Sequence, residues 1–123
     1  AGWGGLPERE AMYLNVEPGL PVGDYTVTVG AVPVDAFWSI SVYNADGYFE
    51  PNERHANTVN SVTAHRNPDG TTTVRFGSSG GHNTIPITEG WNYLVRLYRP
   101  RSEVLDGSWQ FPSIDQPTGW RSV

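Results

Sequence analysis

At 123 residues the chain is long enough to bury the core of one ordinary domain, and we expect a single domain over residues 1–123. Its formal charge of −5, from 8 Lys and Arg against 13 Asp and Glu, argues against general binding to nucleic acid or an anionic membrane. The absence of cysteine excludes a disulfide framework and a thiolate zinc site. No apolar run approaches the roughly 20 residues that span a bilayer, so no membrane insertion is expected.

The first predicted elements are a helical turn and a strand. The 14 glycines and 10 prolines are spread along the chain, which leaves no room for long helices. A short helical turn is predicted over residues 7–14, because Pro7 suits a first helical position and Glu8 and Glu10 interact favourably with the helix dipole. Residues 23–30, GDYTVTVG, alternate apolar and polar side chains and predict a half-buried strand.

The stretch DAFWSISVYNADGYF, residues 35–49, predicts a strand that enters a turn at Asn-Ala-Asp-Gly. One face of this strand is apolar, and the other mixes aromatic and small polar residues. The apolar face consists of Trp38, Ile40 and Val42, and the mixed face of Phe37, Ser39, Ser41 and Tyr43. The strand therefore lies between two environments, of which the mixed face borders a pocket or an interface.

Three further elements follow in the second half of the chain. Residues 71–76, TTTVRF, come after an Asn-Pro-Asp-Gly turn and predict a strand of a hairpin. Residues 91–100, WNYLVRLYRP, predict a central strand that ends at Pro100, because proline cannot donate to a ladder. A second short helical turn is predicted over residues 102–106.

Together these signals predict an all-β fold, an antiparallel β-sandwich of jelly-roll type with one or two short helical turns. Strand alternation assigns a common set of side chains to its core. This predicted core consists of Val27, Val29, Trp38, Ile40, Val42, Val95 and Leu97.

Five segments give the chain a family resemblance. They are GWGG at 2–5, EAMYL at 10–14, DAFWSISVYNADGYF at 35–49, PDGTTTV at 68–74 and GWNYLVRLYRPRSEVLDGSWQFP at 90–112. In combination they resemble the bacterial family called domain of unknown function 1214. The resemblance implies a jelly-roll-like β-sandwich, often behind a second β-sandwich, domain of unknown function 1254. We expect a stand-alone member or an excised domain, either cytoplasmic or exported to the cell envelope; because the family has no established activity, the resemblance assigns no catalytic residue.

The three histidines, His55, His65 and His82, are the candidate metal-binding or acid-base residues. Their spacing lacks the H-x-H and HExxH signatures, so we predict neither a metal site nor a cofactor. Glu50 and Glu53 are close to His55 in sequence, and a carboxylate beside a histidine can orient or activate it. A solvated polar loop is the alternative for this group.

Arg96, Arg99 and Arg101 form a cluster that could bind a carboxylate, sulfate or phosphate, because guanidinium groups bind oxyanions in a bidentate manner. Arg96 lies inside an otherwise apolar strand, where a charge has to be paired or face a cavity. A structural salt bridge to one of the 13 acidic residues is the expected arrangement, and ligand binding is the alternative.

The 5 Trp and 6 Tyr are many for this length, and aromatic faces on a β-sandwich can stack sugars or flat apolar ligands. Trp109, in LDGSWQFP, is expected to close one end of the sandwich, whereas Trp3 and Trp120 could contact a partner. The candidate ligand-binding residues are Arg96, Trp109, Tyr43 and Phe37.

These features favour a non-catalytic binding or assembly module that recognises a small ligand, a glycan, or a partner such as a second β-sandwich domain or another copy of the chain. One alternative is a small enzyme, a hydrolase, isomerase or metal-dependent enzyme, in which His55, His65 or His82 acts with Glu50 or Glu53. A purely structural domain is the third possibility, and the sequence leaves all three open.

Overall fold

A computed structural model describes residues 11–47, 57–78 and 81–114. Within these ranges the chain forms short strands and one helical turn. In chain order they are β1 (Ala11–Val16), β2 (Tyr25–Val29), β3 (Trp38–Tyr43), β4 (Thr58–Asn60), β5 (Thr72–Phe76), β6 (Thr84–Ile85), β7 (Asn92–Tyr98) and α1 (Ser102–Leu105).

The strands form two sheets, one of four strands in the order β1-β7-β3-β4 and one of three in the order β2-β5-β6. All neighbours are antiparallel except β5 and β6, which are parallel. This arrangement confirms the predicted all-β sandwich with a short helical turn near residue 102. The described strands form one sheet of four strands and one of three. A jelly roll has two sheets of four strands each, so the jelly-roll assignment stays a prediction.

One apolar core fills the space between the sheets, because alternate side chains of each strand point inward. All seven residues predicted for the core are buried. Its other buried members include Tyr25, Val74, Phe76, Ile85, Trp91, Tyr93 and Val104. Trp91 also ties the chain entering β2 to this core, since its indole Nε1 donates to the Leu20 carbonyl oxygen at 3.0 Å.

The central strand β3 is buried on both faces. Trp38 lies on the core side, and Ser39 and Ser41 on the other side are only 5% and 0% exposed. Ser41 pairs with Thr58 of β4, their hydroxyl oxygens lying 2.9 Å apart, and accepts from Arg96 of β7. Side chains from the neighbouring strands β4 and β7 therefore cover Ser41 on the mixed face.

Two predictions about local structure are wrong. Residues 11–14, expected in a helical turn, belong to β1, and residues 7–10 lie outside the described ranges. A strand is favoured over a helical turn because pairing with β7 partly buries the side chains of Met12, Leu14 and Val16 against the core. A single helical turn would bury little apolar surface. The turn at 67–70 forms, and the Asn67 N–H donates to the Thr71 carbonyl oxygen at 2.8 Å. However, the strands before and after this turn, β4 and β5, lie in different sheets. The chain therefore crosses from one sheet to the other here, and the predicted hairpin is not formed.

Candidate functional site

The four-stranded sheet presents an outer surface that is rich in aromatic side chains. Cross-strand pairing sets Tyr13, Arg96 and Ser39 side by side on this surface. The Phe37 and Tyr98 rings stack there with centroids 4.4 Å apart. We call this surface the Arg96 face and define it by Tyr13, Phe37, Tyr43, Leu94, Arg96 and Tyr98. Three of the four predicted ligand-binding residues, Arg96, Tyr43 and Phe37, therefore lie on one surface.

Arg96 is half-buried at the centre of this face, and its contacts with the described residues are with neutral groups. Its Nη1 donates to Ser41 Oγ at 3.3 Å and its Nη2 to Tyr43 Oη at 3.2 Å. The Tyr13 ring lies over the guanidinium, 5.9 Å from centroid to Cζ. Both hydrogen bonds are longer than the ~2.7–2.9 Å of strong charge-assisted bonds. Among the described residues no carboxylate pairs with Arg96, so the expected salt bridge is not found there.

The other two arginines of the cluster are placed differently. Arg101 Nε donates to Asp35 Oδ1 at 2.8 Å, an ion pair between exposed side chains. That hydrogen bond, with the charge of Asp35, raises the pKa of Arg101. Arg99 is exposed and has a left-handed backbone with φ of 56° directly after β7. The structural pairing expected within the cluster thus occurs at Arg101.

Trp109 lies on the opposite side of the same sheet, in an apolar groove of about 380 Å³. Inward side chains of β1 and β7 form its floor, and the segment after α1 forms its wall. Its lining is Met12, Leu14, Val16, Tyr93, Val95, Leu97, Val104, Gly107, Trp109, Gln110, Phe111, Pro112 and Ser113. The Trp109 N–H donates to the Glu103 carbonyl at 2.9 Å, which fixes this wall to the helix. We call this cavity the Trp109 groove.

Tyr93 is the one buried residue with a hydroxyl among the described residues that line the Trp109 groove. Its side chain is 2% exposed, and its hydroxyl makes no hydrogen bond with any described residue. Burial raises the pKa of this phenol. No fully enclosed side-chain polar atom of the described residues lacks a partner, so the Tyr93 oxygen remains accessible. Sequence analysis did not select Tyr93 as a site or a core residue; the available signal was a hydroxyl in a row of inward Val and Leu.

His65 and His82 come together on the outer side of the three-stranded sheet. Their rings stack with centroids 3.9 Å apart and planes 7° from parallel. In stacked rings the nitrogen lone pairs lie in two parallel planes and cannot both point at one ion between the rings. Within residues 11–47, 57–78 and 81–114 no group of three or more His, Cys, Asp or Glu could hold a metal. His55 and Glu53, with Glu50, lie outside the described residues, so catalysis by this group stays a prediction.

The packed sheets and their shared core define this chain as a β-sandwich domain. It belongs to the family described as protein of unknown function (DUF1214), whose model matches residues 19–102. The family resemblance found in the sequence is thereby confirmed. No helix in the described part of the chain is long and apolar enough to span a membrane.

Solved structures support the same fold. A crystal structure of a protein from Vibrio parahaemolyticus is 24% identical, with a TM-score of 0.80 over 92% of this chain and 32% of that one. An uncharacterised protein from Burkholderia cenocepacia is 16% identical, with a TM-score of 0.59 over 92% of this chain and 31% of that one. No curated protein matches the chain. The chain thus spans about a third of the length of these two proteins.

Proposed function

We propose that this domain is a non-catalytic binding module for a small, neutral, largely apolar molecule that carries one hydrogen-bond acceptor. The ligand would occupy the Trp109 groove and accept a hydrogen bond from the Tyr93 hydroxyl. The single observation that carries the proposal is the Tyr93 hydroxyl, which is not fully enclosed and has no partner among the described residues, on a side chain that lines an apolar cavity. A ligand acceptor would pair with this accessible hydroxyl in apolar surroundings, where a hydrogen bond is electrostatically stronger than in water.

The size and lining of the groove favour this ligand class. Its volume of about 380 Å³ falls within the range of small-molecule pockets, and such pockets combine apolar walls with a few polar groups. Besides Tyr93, the polar side chains of its lining are those of Gln110 and Ser113. A glycan needs many hydrogen bonds along its ring, and a charged ligand needs a counter-charge that this lining does not offer. The groove therefore supports a neutral apolar ligand better than a sugar.

A matched pair of aromatic ligands tests the proposal. 2-Acetylnaphthalene and 2-ethylnaphthalene have nearly the same shape, but only the first carries a carbonyl acceptor. We expect the ketone to bind the wild-type protein about tenfold more tightly, which corresponds to the ~1.4 kcal/mol of one net hydrogen bond. Tyr93→Phe should abolish this preference, whereas Tyr98→Phe on the Arg96 face should retain it. Affinities measured by amide chemical-shift titration decide between these outcomes.

Either of two results contradicts the proposal. One is saturable binding of both ligands with equal affinity to the wild type and to Tyr93→Phe. The other is the absence of saturable binding of either ligand at its solubility limit.

The Arg96 face supports assembly as a second candidate function. An outer sheet surface that bears tyrosines and an arginine has the composition of protein interfaces. Its central guanidinium has no acidic partner in the described part of the chain, and the chain spans only about a third of two structurally similar proteins. We propose that this face docks a partner β-sandwich domain that supplies a carboxylate to Arg96.

Site-specific photo-crosslinking tests the docking. A benzoylphenylalanine at Leu94 should crosslink, in the natural host, to a peptide that contains Asp or Glu from a second β-sandwich domain. Adding Arg96→Gln should reduce the yield several-fold, and the same probe at Val62, which is exposed and not part of this face, should give no such product. Crosslinks between two copies of Leu94 would replace the partner domain with a homo-oligomer and contradict this version of the proposal.

A further inference from the structure

We infer that the cavity around the stacked histidines binds an inorganic oxyanion that stays doubly charged between about pH 5 and 8, of the sulfate class, and binds it more tightly as pH falls. This cavity has a volume of about 400 Å³ and lies on the outer side of the three-stranded sheet. The residues that carry the inference are His65, Asn67, Thr73, Arg75, His82 and Asn83. It is separate from the Trp109 groove and does not depend on the function proposed for that groove.

Asn83 holds the two histidines in place before any ligand arrives. Its backbone is left-handed with φ of 58°, a conformation that asparagine tolerates better than most residues. Its Oδ1 accepts from the His65 N–H at 3.0 Å, and its Nδ2 donates to the carbonyl oxygens of His65 at 2.8 Å and Thr73 at 3.1 Å. One side chain therefore ties the loop of His65, the turn of His82 and strand β5 together.

The cavity collects donors that the domain itself does not use. Arg75 and the rings of His65 and His82 make no hydrogen bond or ion pair with the described residues, apart from the stacking of the two rings. Asn67, by contrast, donates through Nδ2 to Thr71 Oγ1 at 3.0 Å and Thr73 Oγ1 at 2.8 Å, so its role is to shape the wall. The free donors are the planar groups that suit an oxyanion.

The charges around the cavity favour an anion although the whole chain is acidic. Among the described residues that line the cavity there is no carboxylate. Between residues 57 and 88, the described part contains Arg66 and Arg75 but a single acidic residue, Asp69. The Oδ1 of Asp69 already accepts from the backbone N–H and hydroxyl of Thr71 at 3.0 and 2.7 Å, and these bonds lower the pKa of Asp69. With a net charge of −5, the chain offers anions no general attraction, so binding here would be local.

The stacked geometry couples anion binding to protons. Two neutral imidazoles can stack face to face at 3.9 Å, but two protonated rings at this distance repel each other. A dianion in the cavity offsets that repulsion, so the anion-bound state holds more protons than the free state. Among the described charged groups of residues 57–88, Arg75 on β5 lines the cavity with the pair, whereas Arg66 and Asp69 line a separate cavity. Because histidine changes its charge between about pH 5 and 8, affinity should fall as pH rises through this range.

Sulfate is the probe for this inference, because it remains a dianion across the whole range. Sodium sulfate is titrated at constant ionic strength, balanced with chloride, at about pH 5 and about pH 8. The imidazole proton shifts of His65 and His82 report binding. We expect saturable shifts of both rings and an affinity about tenfold higher at the lower pH, since a tenfold change corresponds to ~1.4 kcal/mol.

Matched variants separate this site from general charge effects. Arg75→Gln should weaken sulfate binding about tenfold, whereas Arg66→Gln, an equal loss of charge beside His65, should change it less than threefold. His82→Gln should remove most of the pH dependence. The amide spectrum of each variant confirms that it is folded. Shifts that do not saturate, equal affinities at the two pH values, or equal effects of Arg75→Gln and Arg66→Gln would overturn the inference.

Discussion

On the inner face of the four-stranded sheet, β7 contributes Tyr93 to an apolar groove, whereas on its outer face the same strand contributes Arg96 to an aromatic surface. Tyr93 has a neutral hydroxyl without a partner, and Arg96 has a charge without a counter-charge, in both cases among the described residues. Strand alternation puts these two groups on opposite sides although they are three residues apart. One strand can thus present two chemically different sites, a neutral apolar ligand fitting the first and an acidic partner surface the second.

The largest expected difference between the two faces concerns stability. Leu97 on the inner face is 0% exposed, and Leu94 on the outer face is half-buried. Leu97→Ala should lower the free energy of unfolding by about 2–5 kcal/mol, because it leaves a cavity in the core. Leu94→Ala should lower it by less than about 1.5 kcal/mol. Urea unfolding followed by tryptophan fluorescence measures both, and equal losses would break the distinction between core and outer face.

Tyr93 also predicts how stability depends on pH. Since burial raises the pKa of Tyr93 in the folded state, the folded protein holds its phenolic proton at a pH where the unfolded chain releases it. The stabilisation is present below the ordinary tyrosine value of about 10 and is lost as pH rises above it. As pH rises from about 9 to 11, the free energy of unfolding should therefore fall less in Tyr93→Phe than in the wild type. If Tyr98→Phe showed the same protection, the effect would not come from the groove.

The outer face should respond weakly when its charge is removed. Arg96→Met loses two long hydrogen bonds to neutral groups but also removes a half-buried charge. We expect the free energy of unfolding of the isolated domain to stay the same or rise by less than about 1 kcal/mol. A loss of about 3 kcal/mol or more, the size found when a buried ion pair is broken, would mean that Arg96 has an acidic partner within this chain.

The smallest effect is expected at the exposed ion pair between Arg101 and Asp35. Both side chains are more than half exposed, and solvent screens such pairs. Arg101→Gln should leave the urea midpoint unchanged within error at physiological salt, in contrast to the inner-face variants. A clear drop that disappears in high salt would show that this pair contributes to stability.

The sequence predicted the sandwich because its local patterns are strong. The alternation in residues 23–30, 71–76 and 91–100 matches β2, β5 and β7 to within two residues at each end. Residues 11–14 were misassigned because the burial that makes them a strand comes from β7, about 80 residues away in the sequence. Local preferences for a helical turn cannot report such a distant partner.

The candidate sites depend even more on distant pairing. Arg96, Tyr43 and Phe37 were each selected from the sequence, but their common face follows from the register of β3 with β7. Trp109 was predicted to belong to the same ligand-binding set. It lies on the opposite side of the four-stranded sheet, because the segment after α1 packs over the inner side chains of β1 and β7. Tyr93 was missed because a missing hydrogen-bond partner is a property of the packed structure.

The most direct test of the binding proposal is an isotope-filtered NOE experiment on the wild-type domain saturated with 2-acetylnaphthalene. Leu14 and Val95 have methyl groups on the inner face, and Leu94 has them on the outer face, so the methyl contacts report which side holds the ligand. We predict NOEs from the naphthalene protons to Leu14 and Val95 and to the Trp109 ring. NOEs to Leu94 in their place, or no intermolecular NOEs at saturation, would contradict a ligand site in the Trp109 groove.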